Sequence, residues 1–319
     1  MKSLVSILPE IKQNKKDKDP ERMDLLMRTI KAVHSQAVNP LAMTPEELSK
    51  QRSEVEVFSK LITPSITTSV TPFFIDEIPC EWVRPEFPHR KDKLILYCHG
   101  GGYTSGGLGY ARILATKLAN HTGLEVIAFE YGLSPENPYP AAFNDALTVW
   151  DHLMKLGYGA KNVLLAGDSA GGNLALELTL SLKENDRFLP AGLILFSPWT
   201  DMTISSGSYE TYKEKDPLLT REYVLSVRTA YAGSEADFTS PCFSPLYADL
   251  SGFPPCLIQA GSNEILRDDS EKLQKKLAKC GADARLEIYT GGWHVFQQMP
   301  IPRAAKAMDA VKTFLDDIL

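Results

Sequence analysis

The stretch Asn162-Val163-Leu164-Leu165-Ala166-Gly167-Asp168-Ser169-Ala170-Gly171-Gly172 changes character twice within a few residues. An aliphatic run opens it, small residues follow, and from Ala170 to residue 183 the pattern is helical. Strand, sharp turn and helix, with serine at the apex of G-x-S-x-G, is the context a nucleophile elbow requires. Glycine at 167 and 171 lets the chain turn tightly, so that Ser169 is held strained with its hydroxyl above the sheet. The helix N-terminus beneath it favours developing negative charge. A plainer account is a chance match or a glycine-rich packing corner. What the rest of the chain supplies decides between them.

On either side of this turn, short apolar strands recur at 94–98, 126–129, 163–166, 193–196, 256–260 and 285–289. Amphipathic helical stretches separate most of them, and a last helix is expected at 302–318. Continuous apolar strands alternating with helices predict an α/β fold with a mainly parallel central sheet covered on both faces. Residues 65–83 alternate in β fashion with breaks at Pro72 and Pro79, which fits two antiparallel strands. Helices are expected at 21–38 and 44–61, the second opened by Thr44-Pro45-Glu46-Glu47, a capping signature. Between Trp199 and Pro254 the rhythm stops: the segment carries one helix, 220–231, and reads as an insertion at the carboxyl edge of the sheet.

A serine hydroxyl is a weak nucleophile until a base takes its proton, and that base needs an orienting carboxylate. His294 is the only histidine after Ser169, and it lies in the glycine-rich loop Gly291-Gly292-Trp293-His294 directly after the last strand. For the acid, the loop Gly261-Ser262-Asn263-Glu264-Ile265-Leu266-Arg267-Asp268-Asp269 offers Glu264, Asp268 and Asp269. The two aspartates directly precede a helical pattern at 270–280, where capping and the helix dipole already account for acidic residues. Glu264 has no such explanation and is favoured, with Asp268 the alternative. Upstream, His99-Gly100-Gly101-Gly102 follows the strand 94–98. Three successive glycines are entropically costly and suggest backbone that must approach something closely. In acyl transfer that is the tetrahedral oxyanion, and one lost N–H donor raises the barrier by about 2.7–4 kcal/mol. Gly101, Gly102 and Ala170 would supply the donors. A flexible loop is the alternative reading, and His99 is read as a structural histidine.

Composition narrows the remaining classes. The chain has 319 residues, 44% hydrophobic and 23% charged, as in an ordinary globular protein with room for a large core. A net charge of −6 provides no broad basic field, so nucleic acid is not an expected partner. No run approaches the ~20 apolar residues of a spanning helix, and the charged start argues against a signal peptide, so a cytoplasmic protein is expected. The five cysteines, Cys80, Cys98, Cys242, Cys256 and Cys280, form no C-x-x-C pair and read as reduced thiols. No metal or other cofactor is expected, and a homodimer is allowed.

With HGGG, GDSAGG, the stretch Glu130-Tyr131-Gly132-Leu133-Ser134-Pro135-Glu136-Asn137-Pro138-Tyr139-Pro140-Ala141-Ala142 and Ser197-Pro198-Trp199-Thr200-Asp201, the chain resembles the hormone-sensitive-lipase-like bacterial carboxylesterases of the GDSAGG branch. The resemblance implies an α/β-hydrolase fold with a mostly helical cap. It implies cap helices at 1–62, a catalytic core at 63–199 and 254–319, and a cap insertion at 200–253. It also implies a serine carboxylesterase with Ser169, Glu264 and His294 as triad and Gly101, Gly102 and Ala170 as oxyanion donors. The substrate would be a small-molecule ester of short to medium chain length. Two departures stand out: Glu264 occupies a loop where relatives more often carry Asp, and Glu130 and Gly132 replace a more usual Asp and Arg. An amide or peptide hydrolase on the same fold is one alternative. A non-catalytic ligand receptor is the other, and the presence of His294 argues against it.

Overall fold

Eight strands form one sheet in the order β1-β2-β4-β3-β5-β6-β7-β8 in the computed structural model, which describes residues 44–62 and 68–319. The strands are β1 Thr68–Ile75, β2 Ile78–Pro85, β3 Leu94–Cys98, β4 Glu125–Phe129, β5 Val163–Asp168, β6 Leu193–Phe196, β7 Cys256–Gly261 and β8 Ala284–Tyr289. From β4 to β8 all neighbours are parallel, whereas β1 and β2 join antiparallel at one edge. The expected antiparallel pair is present, but Pro72 and Pro79 lie inside strands instead of breaking them. β1 is an edge strand, where proline's missing N–H is tolerated. Pro79 precedes the part of β2 that pairs with β4, and its carbonyl accepts from Glu130 N–H at 2.9 Å. The hairpin turns instead at Asp76-Glu77, with Asp76 left-handed at φ 50°.

The side-chain period of two separates the sheet's apolar residues onto two faces. Leu94, Leu96, Leu165, Leu195 and Ile258 join one core with α3 (Ala141–Lys155), α4 (Ala170–Glu184) and α7 (Arg267–Lys279). Ile95, Tyr97, Leu164, Ala166 and Ile194 join the other, against α2 (Leu108–Thr122) and α8 (Pro302–Ile318). Near-continuous apolar strands are what a sheet covered on both sides needs.

Helix α1 (Pro45–Ile62) packs on α2. It starts at the expected capping box: Glu47 N–H donates to Thr44 Oγ1 at 3.2 Å, and Thr44 N–H to Glu47 Oε2 at 2.8 Å. The stretch between β6 and β7 contains α5 (Ser208–Thr211) and α6 (Arg221–Ala232), the latter capped by Thr220. The helix expected at 21–38 lies outside the described residues. No helix among those described is long and apolar enough to cross a membrane.

Candidate active site

β3 and β5 are neighbours in space although β4 lies between them in sequence. Chain order reverses there, and the crevice at the strand carboxyl ends is where open α/β sheets place ligands. The HGGG loop leaves β3 and Ser169 leaves β5, so the two stand side by side. Ser169, partly exposed, has φ 53° and ψ −119°, a strained conformation for a non-glycine residue. The turn closes because its glycines have no side chains. A Cβ on Gly167 would lie 2.2 Å from the Gly171 carbonyl oxygen, and one on Gly171 would lie 2.1 Å from that of Cys98.

Asp168, fully buried, ties the elbow to the HGGG loop. Its carboxylate accepts from Gly100 N–H at 2.8 Å, from Tyr110 Oη at 2.8 Å and from Tyr97 Oη. Burial raises its pKa to about 6, against the lowering effect of these donors. His99 lies in the wall of the loop. It is fully buried, stacks on Tyr131 at 4.1 Å, and places Nδ1 2.7 Å from the Gly100 carbonyl. Burial lowers its pKa to about 4, so it is neutral and structural, as the sequence suggests. Gly101 and Gly102 adopt φ of 116° and 63°, and among the described residues no acceptor takes their N–H groups. Ala170 is the first residue of α4, where a backbone N–H has no intrahelical partner.

Glu264 lies in the loop after β7 and is fully buried; His294 follows β8 and is 5% exposed. His294 Nδ1 lies 3.9 Å from Glu264 Oε2. Burial lowers the imidazole pKa to about 3 and raises that of the carboxyl well above the ordinary glutamate value. The hydroxyl of Ser197 donates to the carboxyl and opposes its shift. At neutral pH the imidazole is unprotonated, the form a general base needs.

Asp268 and Asp269 are occupied elsewhere. The helix they were expected to precede begins at Arg267, so both lie in its first turn, where carboxylates complement the dipole. Asp268 accepts from Ser208 N–H at 2.9 Å, and Asp269 from Thr200 and Asp201 N–H at 2.9 and 3.0 Å. These bonds pin the 200–208 segment to α7.

Several contacts escaped sequence reasoning. Ser197 Oγ donates to Glu264 Oε2 at 2.8 Å and accepts from Val295 N–H at 3.1 Å. Asp216 accepts from the N–H of Ile265, next to Glu264, at 2.9 Å. From α1, Gln51 Nε2 donates to Tyr223 Oη at 2.8 Å and Arg52 Nε to the Thr104 carbonyl at 2.9 Å. A Cβ on Gly102 would lie 3.1 Å from the Val227 side chain, so α6 closes over the HGGG loop. Met202 and Tyr209, from the same inserted stretch, are buried in the main core.

Together these features define an esterase-type hydrolase on an α/β scaffold. The family model described as the alpha/beta hydrolase fold matches residues 95–298. An esterase of Acinetobacter venetianus is 34% identical over 85% of this chain and 91% of its own. An acetyl-hydrolase of Streptomyces hygroscopicus is 35% identical, covering 74% of this chain and 78% of its own. A crystal structure of an esterase from the bacterial hormone-sensitive lipase family superposes with a TM-score of 0.85 at 30% identity, covering 95% of this chain and 99% of that one. The chain belongs to the α/β-hydrolase fold family, in its hormone-sensitive-lipase branch, and is a carboxylic ester hydrolase.

Proposed function

We propose that the chain is a serine carboxylesterase acting on short- to medium-chain esters, with Ser169 as nucleophile, His294 as base and Glu264 as acid. The observation that carries this reading is Ser169 itself. A strained serine stands at a helix N-terminus, beside Gly101 and Gly102, whose N–H groups have no acceptor among the described residues. In the first half-reaction His294 takes the Ser169 hydroxyl proton as Oγ bonds to the ester carbonyl carbon. The N–H groups of Gly101, Gly102 and Ala170 hold the resulting oxyanion. The carbon–alkoxy bond then breaks, and His294 returns the proton to the departing alcohol. In the second half, water gives its proton to His294 and adds to the acyl carbon. The acid leaves, and Ser169 recovers its proton.

Residues 1–62 and 200–253 form the cap in this reading, over a core of 63–199 and 254–319. The contacts of Gln51, Tyr223 and Val227 around the HGGG loop support it. In this reading the site is covered and of limited depth, which favours acyl chains of roughly two to eight carbons, each buried methylene adding about 0.8 kcal/mol until the pocket ends. The test is a ladder of p-nitrophenyl esters from acetate upward, with Ser169→Ala beside the wild type. The expected outcome is a maximum within the short chains, with no turnover and no organophosphate labelling in the alanine variant. Wild-type turnover by Ser169→Ala would refute the reading.

A further inference from the structure

Three loops meet at the carboxyl ends of β6, β7 and β8, and one hydroxyl, on the first of them, joins the other two. Ser197 follows β6, the strand between the one that delivers Ser169 and the one that precedes Glu264. Its N–H donates to the Gln259 carbonyl at 2.7 Å, fixing its backbone to β7, and its side chain is fully buried. Like Ser169, it is left-handed, with φ 47°.

We propose that Ser197 is a positioning residue for the Glu264–His294 pair. The inference rests on the assignment of those two residues to the triad. A serine hydroxyl has one proton and two lone pairs. Here the proton goes to Glu264 Oε2 at 2.8 Å, and one lone pair takes the Val295 N–H at 3.1 Å. Oε2 is also the oxygen that faces His294 Nδ1 at 3.9 Å, while Oε1 makes no hydrogen bond among the described residues. Ser197 thereby sets which carboxylate oxygen addresses the imidazole. Its second bond holds the residue next to His294, and that residue needs holding. Val295 is β-branched yet has φ 50° and ψ 40°, a conformation such residues rarely adopt. Without the hydroxyl, the acid loses a donor and the histidine loop loses an anchor at the same time.

A merely structural serine would satisfy a buried amide and nothing more, so the readout must separate the two roles. The experiment compares Ser197→Ala, Ser197→Cys and Glu264→Gln in the full chain with p-nitrophenyl butyrate, rates being normalised to active sites titrated with an organophosphate. Ser197→Ala is expected to lower kcat about 100-fold, the cost of a misplacement of about 1 Å, with KM little changed. Its acidic limb of activity moves to higher pH, because the carboxylate loses a donor that favours its ionised form. Ser197→Cys, with a weak donor of similar shape, falls between. In the Glu264→Gln background, Ser197→Ala adds little further loss, as expected for residues acting through one another. Should the alanine variant fail to fold, Ser197→Gly removes the hydroxyl while suiting the left-handed backbone and serves the same test. A wild-type kcat and pH profile in Ser197→Ala, beside a crippled Glu264→Gln, would overturn the inference alone. A wild-type rate in Glu264→Gln would overturn the triad reading instead.

Discussion

Replacing Glu264 by glutamine removes a charge and little else. Ser197 Oγ donates to Oε2, so the amide turns its carbonyl oxygen to that position and keeps the bond and the packing. On the proposed mechanism, the carboxylate that faces His294 when the imidazole becomes imidazolium is lost. At 3.9 Å and an effective dielectric of about 20, that attraction is about 4 kcal/mol, or about 10³ in kcat. The assay is steady-state hydrolysis of p-nitrophenyl butyrate, corrected for active-site content. Asp268→Asn is the control: its carbonyl can still accept the Ser208 N–H that Asp268 now takes, so its rate stays close to wild type. A loss of less than about tenfold in Glu264→Gln, equivalent to about 1.4 kcal/mol, would refute the electrostatic role. A larger loss in Asp268→Asn would transfer the role to that residue.

The same substitution has a stability consequence whose sign is fixed. Burial raises the Glu264 pKa above its unfolded value, so the folded state binds the proton more tightly and wild-type stability declines as pH rises from about 4.5 towards the folded pKa. Glu264→Gln lacks this titration and should gain in Tm relative to wild type across that rise; a constant or shrinking difference would contradict it. Asp168→Ala should leave three donors without their acceptor, at about 1–3 kcal/mol each. For a chain of 319 residues that corresponds to a fall in Tm of roughly 4–13 °C by calorimetry, and an unchanged Tm would mean the donors find other partners.

Much of this protein can be read from its sequence because the informative signals are local or periodic. Aliphatic strands alternating with amphipathic helices require a parallel sheet covered twice, and the observed C-terminal helix Pro302–Ile318 matches its expected limits. The elbow is equally local, since glycines at 167 and 171 and the serine between them specify one strained turn. His294 stood out because no other histidine follows Ser169.

The proposed acid is harder to read, because carboxylates within five residues of one another look alike until neighbours are assigned. Only the packed structure occupies Asp268 and Asp269 with the backbone of 200–208 and leaves Glu264 facing the imidazole. The same limit hid Ser197 and Asp168. Their partners lie between 67 and 98 residues away for Ser197 and between 58 and 71 for Asp168. Nothing in a linear pattern marks a hydroxyl or carboxylate as the meeting point of loops that distant. Local chemistry determined which residues could react. Strand order, which brings the ends of β3, β5, β6, β7 and β8 together, decided which of them are held against one another and by what.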